Sequence, residues 1–109
     1  MRLVAVIAAA LPEASLGRKW NAPSFAFGGR DLITLNHPPK GGQVRVIFHR
    51  GAGAKDTKTG ARLLPEADAR LTWPSDQRAI ACFPFGQEID ERWLAATCRA
   101  WVDAVGIAP

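Results

Sequence analysis

Residues 43–50 alternate in character along the chain. On an extended backbone Val44, Val46 and Phe48 fall on one side, and Arg45, Ile47 and His49 fall on the other. A period of two marks a strand with one buried face. A strand half-covered in this way belongs in an antiparallel sheet, with one face packed and one face open. The rest of the sequence is read around that strand.

Shorter strand patterns flank it. Residues 24–28 place Phe25 and Phe27 on one face, and Gly28-Gly29 then signals a tight turn. Residues 31–37 set Leu32, Thr34 and Asn36 against Ile33, Leu35 and His37. Residues 38–42 are rich in Pro and Gly and cannot continue a ladder. After a polar loop over 51–61, strands are predicted over 71–73, ended by Pro74, and over 78–85. Residues 12–23 read as an irregular passage.

Helices are predicted at both ends. Leu3, Val4, Ile7, Ala8 and Leu11 form an apolar stripe over residues 2–11, which Pro12 stops. The same run after Met1-Arg2 has the look of a short signal-peptide core, but it is too short to span a bilayer, and the helical reading is preferred. Over residues 88–105 the stripe is Leu94, Cys98, Trp101 and Val105, with Asp90 as a cap and Gly106 as a stop. The expected fold is α+β. It is a two-layer sandwich with N- and C-terminal helices packed on one face of an antiparallel sheet of about five strands. The length of 109 residues fits one domain over residues 1–109.

The net charge of +4 is uneven: residues 1–54 carry an excess of five basic groups, and residues 55–109 one excess acid. The basic residues are dispersed, so nucleic acid is not an expected partner. Cys82 and Cys98 are too few for a zinc site, and both read as buried free thiols in a cytoplasmic protein. No metal or cofactor is implied, and no membrane. The chain lacks the G-x-S-x-G elbow of a hydrolase and the spacing of a phosphate loop. No catalytic residue is assigned.

The candidate binding residues are Lys19, Trp20, Asn21, Asn36, Arg45, His49, Arg50 and Arg78. Trp20 offers a flat face beside the amide of Asn21 and the charge of Lys19. His49, Arg45 and Asn36 fall on the side of their strands expected to face away from the helices. Asp76 and Arg78 flank a turn at ion-pair spacing. An open sheet face of this kind leaves room for a small ligand, a protein partner or a second copy in a homodimer.

Three blocks carry a resemblance. Lys19-Trp20-Asn21-Ala22-Pro23-Ser24-Phe25, Leu32 to Asn36 and Val46 to Ala52 together resemble the YdhG-like family of domains of unknown function. Trp73, Ser75 to Arg78 and a closing helix with a Trp extend the likeness over nearly the whole chain. The resemblance implies a frataxin-like sandwich, and in one branch an intracellular iron chaperone. This chain departs from that branch, because the first helix carries no acid at all. The leucine-proline, Trp-x-x-Pro and Gly-Gly layout is also similar to the MmcQ/YjbR-like proteins, which implies possible DNA binding. The function expected from these residues is a small binding or interaction domain without catalysis. The alternatives are an iron chaperone and a nucleic-acid binder using the basic first half.

Overall fold

The computed structural model describes residues 2–19, 22–37, 41–51, 55–66 and 68–106. The elements are α1 (Arg2–Ala10), β1 (Ser15–Lys19), β2 (Ala22–Phe27), β3 (Arg30–Asn36), β4 (Gln43–Phe48), β5 (Thr72–Ser75), β6 (Arg78–Pro84) and α2 (Glu91–Val105). The strands form one antiparallel sheet in the order β1-β2-β3-β4-β6-β5. Both helices pack on the same face, giving an α+β sandwich.

The strand predicted over 43–50 forms over Gln43–Phe48, and its faces follow the alternation. Val44, Val46 and Phe48 are buried, and Arg45 and Ile47 are half-buried on the other side. β6 follows suit, with Ala79 and Ala81 buried opposite Phe48 and Val46. Small side chains there let α2 approach closely. Trp101 fills the space, with its ring centroid 5.7 Å from Phe48 and 5.8 Å from Trp73.

The helix signals are borne out at their ends. Asp90 accepts a hydrogen bond from the Trp93 N–H at 3.0 Å, capping α2. Gly106 closes it at φ 75°, where its N–H donates to the carbonyls of Val102 and Asp103. The stripe of α1 is turned from the predicted one. Leu3, Val6, Ile7, Ala10 and Leu11 are buried, whereas Val4 is half-buried and Ala8 exposed. An all-apolar helix gives the sequence little means of choosing its buried side.

The sheet has one strand more than the five legible in the sequence. β1 lies within the passage read as irregular. Its side chains are almost all exposed, so it shows no hydrophobic alternation, and only its hairpin pairing with β2 makes it a strand. The β2–β3 turn needs positive φ at both central residues, and Gly28 and Gly29 supply it at 57° and 81°. A bulge between Phe25 and Ala26 breaks the predicted phase, burying Phe25 and leaving Phe27 half-buried. Pro74 does not end β5 but lies within it. β5 is the sheet's last strand, where a missing N–H is tolerated on the outer side.

Candidate functional site

Cross-strand pairing lays the helix-free face out in rows. Asn36, Arg45 and Cys82 are partners across β3, β4 and β6. The next row runs from Gly17 through Ser24, Thr34, Ile47 and Ile80 to Thr72. The face therefore has two half-buried isoleucines at its centre and a polar row beside them.

Towards β2 this face is not open. Ser24, Thr34 and His49 are 1%, 2% and 7% exposed and form one hydrogen-bonded chain. The Gly51 N–H donates to His49 Nδ1 at 3.0 Å, so the ring proton sits on Nε2. Nε2–H donates to Thr34 Oγ1 at 2.9 Å, and the Thr34 hydroxyl passes its own proton to Ser24 Oγ at 2.8 Å. Ser24 in turn donates to Asp31 Oδ1 at 2.9 Å, and Lys19 Nζ lies 3.5 Å from Asp31 Oδ2. Each member uses the polarity left to it by the one before, so the direction of every proton follows from Gly51.

His49 also ties the layers together. Its carbonyl accepts from the Trp101 indole N–H at 2.9 Å, and its N–H donates to the Leu32 carbonyl at 2.9 Å. Burial, with Arg78 and Lys19 nearby, pushes the imidazole down to about 4 against the pull of Asp31 and Asp56. His49 is thus neutral at neutral pH with both ring nitrogens occupied. It is not the exposed platform residue that its parity suggested. Its side chain keeps the parity of Arg45 and Ile47 and faces away from the helices as predicted, but there it is buried in the polar chain rather than exposed.

The other expected residues divide. Lys19 and Arg78 join His49 in one electrostatic neighbourhood, with Arg78 Nε 3.7 Å from Asp56 Oδ2. Asn36 and Arg45 sit side by side one row away, and neither side chain has a polar partner among the described residues. Arg50 belongs to the loop rather than the platform. Its guanidinium donates to the Lys55 carbonyl, and its own carbonyl accepts from Arg30 Nε at 2.7 Å. Trp20 and Asn21 lie outside the described residues.

Two further expectations are corrected. Asp76 does not pair with Arg78. Its carboxylate accepts from the Thr57 and Thr59 hydroxyls and the Thr59 and Gly60 amides, which hold it down to about 2 and pin the loop. Cys82 is exposed, because its place in β6 points it to the face the helices leave bare. Cys98 is buried as expected, and burial pushes its thiol up to about 12. A thiol held protonated in this way is no nucleophile.

Sequence reading did not single out Ser24, Thr34, Asp31 or Gly51. The available signal was a polar residue in mid-strand, at Ser24 and Thr34. Among the described residues no three of His, Cys, Asp and Glu converge as a metal site. Among them, too, no helix is long and apolar enough to cross a membrane. Set against protein-family models, curated proteins and solved structures, the chain matches none of them.

Proposed function

We propose that this chain is a small non-catalytic binding domain whose ligand face is the bare side of the sheet around Asn36, Arg45, Ile47 and Ile80. One observation carries the reading. Asn36 and Arg45 are adjacent, accessible and without a polar partner among the described residues, next to two half-buried isoleucines. That combination offers a hydrogen-bonding amide, a guanidinium fork for a carboxylate and an apolar floor. A small anionic ligand or an acidic patch on a protein partner matches it, and a second copy remains a form of partner. The use of both His49 nitrogens and the protonated Cys98 argue for binding rather than catalysis.

The reading agrees with the resemblance to the YdhG-like family. The iron-chaperone alternative draws less support. Asp90 caps α2 and Glu91 is engaged by Arg2, so these acids are committed to structure. The nucleic-acid alternative needs a free basic face, whereas Arg30 and Arg50 donate to backbone carbonyls and Lys19 pairs with Asp31. Both cysteines are free, which fits a reducing cytoplasm.

The test is a thermal-shift screen of anionic metabolites, a ferrous salt and a short DNA duplex, followed by amide NMR of any hit. The expected hit shifts amides in β4 and β6 and is lost in Arg45→Ala. Hits that map elsewhere, or that survive Arg45→Ala and Asn36→Ala, refute the assignment. A ferrous or duplex hit would move the reading to the corresponding alternative.

A further inference from the structure

β6 spans Arg78–Pro84, but β5 covers only its first part. Ser75 pairs with Arg78 and Thr72 with Ile80. Before Thr72 the chain turns back on itself, with the Leu71 N–H donating to the Asp68 carbonyl at 3.1 Å. The outer edge of β6 beyond Ile80 therefore has no neighbouring strand among the described residues.

The backbone direction on that edge can be read. The Phe85 N–H donates to the Gly42 carbonyl on the β4 side at 2.9 Å. Hydrogen-bonding directions alternate along a strand, so Phe83 and Ala81 also point theirs at β4, and Cys82 points its N–H and C=O outward. Two facts agree with that phase. Pro84 falls in the outward set, where β4 needs no N–H from it. Ile80 falls there too, and it is the residue that β5 pairs with.

A groove of about 390 Å³ lies alongside. Its near wall takes Ala81 and Phe83 from one face of β6 and Ile80 and Cys82 from the other; its far wall includes Arg70 and Trp93. Side chains of both parities border a single groove only where it follows the strand's edge rather than either face. The charge there is one-sided. Arg70 is already held by Asp68 and Asp90 and stacks 4.5 Å from the Trp93 ring. Glu88, also on the groove, is exposed and has no polar partner among the described residues.

We propose that this edge groove binds an extended peptide segment of a partner protein, one that carries a lysine or arginine. The segment adds to β6 as a short strand at Cys82, and its cation meets Glu88. This site adjoins the Asn36–Arg45 face and shares Ile80 with it, but it differs in being built from edge backbone and an acidic rim.

The probes are a capped hexapeptide alternating valine and lysine and its glutamate counterpart. Two further lysine copies are N-methylated at alternate amides, one in each phase. Amide NMR and hydrogen exchange on the full chain read the outcome. The lysine peptide is expected to shift the Cys82 amide proton and slow its exchange. One methylated phase should lose at least about tenfold in affinity while the other binds, because only one row of peptide amides faces β6. The glutamate peptide should bind about threefold to fivefold less tightly, and Glu88→Lys should reverse that preference. Cys82→Pro should remove binding while Val44 and Phe83 keep slow-exchanging amides, which separates loss of the site from loss of the fold. The proposal is overturned if no peptide moves the Cys82 amide, or if both methylated phases bind alike. Protection of that amide rising with protein concentration alone would also overturn it, and would assign the edge to a second copy.

Discussion

Burial of a neutral His49 dictates how this fold responds to acid. The ordinary imidazole titrates near 6.5, and in the folded chain burial holds it down to about 4. Between those two values the unfolded chain binds a proton that the folded one refuses. The contribution is therefore fully present above pH 6.5 and is lost as pH falls through the window towards 4. Each pH unit across it is worth about 1.4 kcal/mol, so the window carries about 3 kcal/mol. That is a large part of the ~5–15 kcal/mol by which domains are usually stable. Asp68 and Asp76 are held down to about 2, so their contribution is lost in a lower window, as pH falls from about 4. The two windows separate on the pH axis. Urea unfolding from pH 7 to pH 4 measures the slope, and the imidazole carbon-bound protons in a His37→Gln background give the titration of His49 directly. His49→Gln should lose the slope between pH 6.5 and 4. A folded-state His49 titrating near 6.5, or an unchanged slope in His49→Gln, would refute the reasoning.

Three further outcomes follow from the same geometry. Thr34→Val keeps the shape but leaves the buried His49 Nε2–H without an acceptor, at a cost of about 2 kcal/mol and a fall of roughly 10 °C in thermal midpoint; Thr34→Ser should cost less than half as much. Gly51→Ala puts a Cβ 3.1 Å from Arg30 Cγ and 3.3 Å from the Asp31 carbonyl at φ +94°, and should destabilise by about 1–2 kcal/mol and shift the His49 ring signals; a midpoint unmoved by calorimetry would contradict the backbone strain. With a thiol reagent at neutral pH, Cys82 should label in the folded chain and Cys98 only after unfolding. Equal rates for the two would mean that α2 does not pack as described.

How much of this was legible depended on what the neighbours contribute. The β4 pattern announced itself because Gln43 to Val46 alternate between polar and apolar, and burial of alternate residues is what a half-covered strand requires. The caps of α2 were legible because Asp90 and Gly106 act on their own backbone within a turn. β1 was not, because an edge strand with exposed side chains leaves no hydrophobic trace and is held by backbone bonds that any residue can make. The candidate residues show the same division. Parity along β3 and β4 put Asn36 and Arg45 on one face, and the strand pairing sets them side by side. Parity also put His49 on that face, where it bonds to Thr34, but gave no sign that the polar chain there buries it.

The sequence by itself determined the α+β layering, the antiparallel ladder around residues 43–50 and the two terminal helices. Those rest on local periodicity and on short-range capping, which the chain carries in its own order of residues. Only the tertiary structure decided that Ser24, Asp31, Thr34, His49 and Gly51 share one chain of hydrogen bonds. It alone also decided that Asp76 pins a loop seventeen residues away in sequence, and that half of β6 has no strand on its outer edge among the described residues. Each of these joins groups far apart in the chain. Unsatisfied polar groups find their partners only when the layers close, and no pattern in one segment records which partner another segment will bring.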